Sequence, residues 1–266
     1  MVALPTQSRS GPLRSAFRVF AALMIREMIT RYGRSWGGYV WAVLEPLAMI
    51  LILSGAFSYF FDRPAIGNSF LLYYATGYLT FHFFNQVASH TGMAVQVNRE
   101  LMQLPAVRPL DALMARFVLA TLTLVVVMAL ILGIVATTMR EPLHFDPTAA
   151  MLAIGAAATF GLGVGTLNVV LFAALPVWRQ VWGLISAPLM ILSAVFYSFD
   201  VLPAHIQKVL WWNPVLQAVG QMRAAFYPFY HADYVNLFYV YGLGLGLFIL
   251  GAALILRHAS AIIESR

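Results

Sequence analysis

The sequence predicts an all-α integral membrane protein with six membrane-spanning helices. Three observations predict it. Of 266 residues, 61% are hydrophobic and 10% charged, with a mean hydropathy of +0.81, whereas soluble domains carry about 25% charged residues. The runs between charges reach the length of about 20 residues needed to cross a hydrocarbon core of roughly 30 Å. The basic residues also segregate to one side when six crossings are drawn.

Residues 1–16, with Pro, Ser and Arg, read as a loose tail. Residues 17–35 read as an amphipathic helix. At about 100° per residue, Ala21, Met24, Ile25, Met28, Ile29 and Tyr32 share one arc, and Arg26, Glu27, Thr30, Arg31 and Arg34 share the opposite one; Leu23 is the misfit. Such a helix suits a membrane surface, its apolar side below the headgroups and its arginines on phosphates. An ordinary soluble amphipathic helix has the same pattern. Glu27 and Arg31 have the spacing of an i,i+4 pair. A corner at Trp36-Gly37-Gly38-Tyr39 then leads into the first crossing.

The crossings are expected at about 39–61, 70–91, 113–138, 149–175, 181–199 and 234–256, with a short tail at 257–266. Tails and even-numbered loops then hold twelve basic residues: Arg9, Arg14, Arg18, Arg26, Arg31, Arg34, Arg99, Arg108, Arg116, Arg179, Arg257 and Arg266. The other side holds four: Arg63, Arg140, Lys208 and Arg223. The excess places both termini in the cytoplasm. It also accounts for the net charge of +6 without nucleic acid.

Two connections carry structure of their own. Residues 95–105 form a short charged amphipathic stretch, ended by Pro105 and able to pass movement to a soluble partner. Residues 202–226 read as two short helices broken at Asn213-Pro214, re-entering the outer leaflet or capping the bundle. Aromatics of this loop, Trp211 and Trp212 among them, suit the interface.

Candidate polar sites are few. Glu45, before the helix-disrupting Pro46, must be paired, hydrated or at headgroup depth; a hinge paired with Arg34 or a residue of the second loop and a plain helix-end carboxylate both fit. His82, Asn85, Gln86, Ser89 and His90 recur at helical spacing as one seam, lining a path or a subunit contact. No acid or cysteine joins the two histidines, so a metal site is disfavoured. The Gly runs 161–165 and 242–246 lack the Lys-Ser/Thr of a phosphate loop and suit close helix packing. No nucleotide motif occurs, and the ten acids are scattered, against an active site. The chain has no cysteine, so thiol and disulfide chemistry is excluded. No secretory leader or lipidation motif is evident.

REMITRYG at Arg26–Gly33, GYVWAVLEP at Gly38–Pro46, RPLDALMARFVL, ALPVWRQV and LWWNPVLQAVGQMR together resemble the permeases of type-2 ABC exporters, closest to the KpsM-type capsular-polysaccharide branch. O-antigen and teichoic-acid permeases share part of the pattern. The resemblance implies an ABC-2 (type V exporter) fold in which 17–35 is an interface helix, 95–105 a coupling helix and 202–226 the outer gate. It implies a homodimer in the bacterial inner membrane, driven by a separate cytoplasmic ABC ATPase dimer that holds the ATP and Mg. No cofactor is expected on this chain. A periplasmic co-polymerase and an outer-membrane channel are implied partners, and the cargo is an anionic lipid-linked polysaccharide. On that basis Asn98, Arg99, Glu100, Gln103 and Arg108 are expected to meet the ATPase, and Arg26, Arg31, Arg34 and Glu45 to form the lipid-side entrance. Tyr39, Trp41 and Tyr73 would offer ring faces to sugars, and Trp211, Trp212, Asn213 and Arg223 would form the outer gate. A membrane enzyme of glycolipid synthesis and an ion-coupled transporter are the competing classes; the second expects carboxylates near mid-membrane, and the spans have none there.

Overall fold

The computed structural model describes residues 21–29, 37–100, 102, 108–139 and 143–259, with Gly37–Tyr39 described by backbone alone. Those residues are mostly helical and contain no strand. Helix α1 occupies residues 21–29. It is followed by α2 (Gly37–Phe60), α3 (Phe70–Gly92), α4 (Ala94–Val97), α5 (Pro109–Thr138) and α6 (Pro147–Ala174). Then come α7 (Trp178–Leu192), a 3-10 turn at Phe199–Val201, α8 (Ala204–Leu210), α9 (Pro214–Phe226) and α10 (Leu237–Arg257).

Local chemistry sets the boundaries. Pro109, Pro147 and Pro214 each occupy a first-turn position, where the missing N–H costs nothing. Asp146 caps α6 by accepting from the Thr148 and Ala149 amides at 2.8 and 3.2 Å. Ser69, Asn213 and Asn236 cap α3, α9 and α10 in the same way. Helix α5 therefore starts four residues before the expected 113, and α10 three residues after the expected 234. Helix α7 has only 15 residues, about 22 Å of helix. It ends at Leu192 rather than 199, where Ala194 takes a positive φ of 57°.

Among the described residues, four helices are long and apolar enough to cross a membrane: α2 from Val40, α5, α6 and α10. Helix α3 is more polar and α7 is shorter. Helix α3 lies at the centre of the bundle, with Tyr73, Tyr74, Phe83 and Phe84 almost fully buried. Helix α6 is wedged between α3 and α10. The GLGVG run makes both contacts: a Cβ on Gly161 or Gly165 would strike α3 at Val87 or Thr91, and one on Gly163 would strike the Gly244 carbonyl of α10. Alternate glycines thus serve opposite faces of one helix. The first run is a packing device throughout, whereas in the second only Gly244 makes a close approach, to Thr159 and Phe160 of α6.

Candidate functional site

The bundle has two polar ends. At one, α1 lies across the α3–α5 connection. Leu23 and Glu27 of α1 are buried, while Ile25, Met28 and Ile29 are 58%, 46% and 59% exposed. The helix therefore packs through its polar arc and turns its apolar arc outward. Leu23, the misfit of the surface-helix pattern, points into the protein. Glu27 is buried rather than on the surface, and Arg31, its expected i,i+4 partner, lies outside the described residues. The Glu27 carboxylate sits 3.1 Å from Arg116 Nε of α5, the two side chains 8% and 7% exposed. A buried charge demands such a partner.

The same end clamps α4 and the residues after it. Arg116 Nη1 donates to the Met93 carbonyl at 3.3 Å, where α3 gives way to α4. Arg26 Nη1 donates to Asn98 Oδ1 at 3.0 Å, and Asn98 Nδ2 donates to the Ala94 carbonyl at 3.0 Å. Arg179 of α7 donates to Gln96. Side chains from α1, α5 and α7 thus converge on 93–98. Of the expected helix over 95–105, α4 covers the part up to Val97, a turn covers Asn98–Glu100 and Met102 is in a 3-10 turn whose amide donates to the Asn98 carbonyl at 3.2 Å; residues 101 and 103–105 lie outside the described residues. Asn98 is buried, Arg99 half-buried and Glu100 exposed. Asn98 is therefore an internal strut rather than a surface contact. Arg108 is exposed, its amide donating to Asp111 at 3.4 Å at the start of α5. Arg34 and Gln103 lie outside the described residues.

The α3 seam, expected along a path or a subunit contact, bonds in part to α7 of the same chain. Ser186 donates to Asn85 Oδ1 at 3.0 Å and Trp182 Nε1 to Ser89 Oγ at 3.1 Å. Trp178 Nε1 reaches Asn168 Oδ1 of α6 at 3.0 Å. These bonds fasten α7, which buries no residue fully, to the bundle. His82 is buried and stacks on Tyr78, with centroids 5.6 Å apart; Gln86 and His90 are half-buried. No group of three or more metal-ligating side chains occurs among the described residues. Glu45 is exposed on α2, and no described side chain forms an ion pair with it; Arg34, its candidate partner, lies outside the described residues. Trp41 is 64% exposed. Tyr39 lies in α2, with its side chain outside the description.

At the opposite end a hairpin of α8 and α9 closes the bundle. Arg223 of α9 is completely buried. It donates to the Val195 and Tyr197 carbonyls at 3.1 and 3.0 Å and lies over the Tyr73 ring, 4.1 Å from its centroid. Gly77 leaves the room: a Cβ there would come within 3.0 Å of Arg223 Nη2. Tyr73, expected along a path for sugars, is instead a core residue supporting this cation, because its ring offers the only kind of partner an apolar wall can. Asn213 donates to Leu192 O and Ser193 Oγ at 3.0 and 3.1 Å. Both side chains capture carbonyls left free where α7 stops. Trp211 Nε1 donates to the Tyr234 carbonyl at 2.8 Å and its ring stacks on Tyr239; Trp212 is 64% exposed. Burial raises the pKa of the Tyr227, Tyr230 and Tyr234 phenols above the ordinary value.

An α-helical membrane bundle with one clamped connector at one end and a capped hairpin at the other is matched along most of its length. The ABC-2 type transporter family matches residues 18–227. This chain belongs to the ABC-2 type transporter family. Among its relatives, the polysialic acid transport protein KpsM of Escherichia coli is 30% identical over 95% of this chain and 99% of that protein. The capsule polysaccharide export inner-membrane protein CtrC of Neisseria meningitidis is 27% identical over 92% of each chain. The inner-membrane protein BexB of Haemophilus influenzae, named for the same export, is 23% identical over 92% of each. Sequence reasoning missed Glu27 and Arg116 as a pair; the failure of Leu23 to fit the apolar arc was the available signal.

Proposed function

We propose that this ABC-2 permease exports a lipid-linked capsular polysaccharide across the bacterial inner membrane. The observation that carries the reading is the clamp on 93–98. A chain with no nucleotide motif fixes its α3–α5 connection to α1, α5 and α7 at once. A displacement applied there from outside would reach three helices together. The names of the relatives supply the cargo class.

In this reading α2, α3, α5, α6, α7 and α10 are six crossings, both termini are cytoplasmic, and α7 completes its crossing with the chain that follows it. Two copies form the pathway. An ABC ATPase dimer, which holds ATP and Mg, docks on Arg99, Glu100, Gln103 and Arg108, while Asn98 ties that surface to α1. Arg26, Arg31, Arg34 and Glu45 lie near the entrance for the lipid end. Tyr39 and Trp41 offer rings to the sugar chain. Trp211, Trp212, Asn213 and Arg223 hold the outer hairpin, and a periplasmic co-polymerase and an outer-membrane channel continue the route. The test is purification from its native membrane, followed by polymer display in cells lacking the gene. The expected result is a co-purifying ATPase and loss of surface capsule with polymer retained inside. Transport by the isolated chain alone, or unaltered capsule in its absence, would refute the proposal.

A further inference from the structure

A second polar site lies beside the α8–α9 hairpin, where α10 begins. A cavity of about 460 Å³ opens between Trp211, which ends α8, Gln221 of α9 and the segment 232–238 that leads into α10, a size typical of small-ligand sites. Its walls are fastened from within. Gln217, completely buried, accepts from the Asn236 amide at 2.8 Å and donates to the Trp211 carbonyl at 2.7 Å. The Val235 amide donates to the Ala232 carbonyl at 3.0 Å, and Asn236 Oδ1 accepts from the Tyr239 amide at 3.1 Å. The segment is therefore shaped before any ligand arrives.

Two polar side chains of the lining are left over by these bonds. Among the described residues, the Asp233 carboxylate and the Gln221 amide have no hydrogen-bond or ion-pair partner. Asp233 is exposed. The nearby cation, Arg223, is spent on the Val195 and Tyr197 carbonyls. Helix α10 is long and apolar enough to cross a membrane, so a cavity at its first turn lies at headgroup level. Phe238, 94% exposed, stands on its rim next to Leu237.

A carboxylate binds an ammonium group more strongly than a hydroxyl, and an open aromatic face beside it adds a cation–π contact. The start of α10 opposes a bare cation, because the positive end of the helix dipole lies there. The Gln221 amide also offers N–H donors that an ammonium cannot use. The fitting ligand carries an ammonium and an anionic oxygen close together. We infer that this cavity seats the headgroup of a zwitterionic aminophospholipid, its ammonium on Asp233 and its phosphate on the Gln221 amide. Leu237 and Phe238 give the acyl chains an apolar edge to follow into the bilayer. The inference rests on α10 crossing the membrane and not on capsule export, so it stands or falls separately from that reading.

The test uses the full chain in phosphatidylglycerol nanodiscs. The probe is phosphatidylethanolamine with a diazirine near the carboxyl end of one acyl chain. Two controls carry the same diazirine: the N-acetylated lipid, which lacks the ammonium, and a glucosyl diacylglycerol, which offers only hydroxyls. Mass spectrometry maps the cross-links. The expected result is labelling of segment 232–242 about tenfold above each control. Asp233→Asn, at an exposed site, should bring the ratio to the N-acetylated lipid down to about one. Asp62→Asn, an exposed acid at the end of α2, should leave that ratio unchanged. Gln221→Leu should lower labelling by both phospholipids; if it fails to fold, Asp233→Asn decides alone. Equal labelling by either control lipid, a ratio unchanged in Asp233→Asn, or a ratio lowered as far by Asp62→Asn overturns the inference.

Discussion

Replacing Arg116 by Met tests the clamp most directly. Glu27 and Arg116 are 8% and 7% exposed and 3.1 Å apart. Met keeps most of the volume of the arginine stem and removes the charge, so the Glu27 carboxylate is stranded away from water. Breaking a buried pair by removing one partner costs about 3–5 kcal/mol. The bond from Arg116 Nη1 to Met93 O is lost too, adding about 1 kcal/mol. The loss falls on the docking of α1, because that helix touches the bundle through Leu23, Arg26 and Glu27 while its other face is open. The expected outcome is local release of α1 before the bundle unfolds. Limited proteolysis at Arg26 in detergent measures it. The rate should rise about a hundredfold or more, since each 1.4 kcal/mol is a factor of ten. Adding Glu27→Gln to Arg116→Met removes the stranded charge and should recover most of the protection. An additive double mutant, or unchanged proteolysis in Arg116→Met, would refute the argument.

Two further predictions concern the rest of the fold. Gly163→Ala, which forces a Cβ onto the Gly244 carbonyl, should destabilise the bundle by about 1–3 kcal/mol. Gly242→Ala, on α10 but with open space beside it, should cost nothing; thermal unfolding in detergent separates the two. At alkaline pH the hairpin phenols decide stability. Their folded pKa values lie above the ordinary 10.0 because burial disfavours the phenolate. The folded chain therefore keeps protons that the unfolded chain has lost. Their contribution is fully present below pH about 10 and is lost as the pH rises through the raised values. Phenolate absorbance should appear together with protease access to 200–233; phenolate absorbance at the ordinary pH with the hairpin still protected would contradict it.

Much of the bundle is legible in the chain because the bilayer writes its demands in composition. Uninterrupted apolar runs mark α2, α5, α6 and α10, and the break between α8 and α9 is visible in Asn213-Pro214. The Gly runs announce close helix contact before its partners are known. The exporter motifs place the chain among ABC-2 permeases, and the family match bears that out. Pairings were not legible. Nothing local says that Glu27 meets Arg116 across 89 residues, that Arg26 reaches Asn98, or that Arg223 lies over Tyr73. Helical periodicity assigned Glu27 to an exposed arc because it cannot see that a bundle, and not water, lies on that side.

The sequence by itself determined which segments are helical, which are greasy and where the charges concentrate, since these follow from neighbours within a turn or from the solvent. Only the tertiary structure decided which polar groups leave water. A charge buried by one helix is satisfied by another, and that choice depends on distances between segments that no local pattern contains.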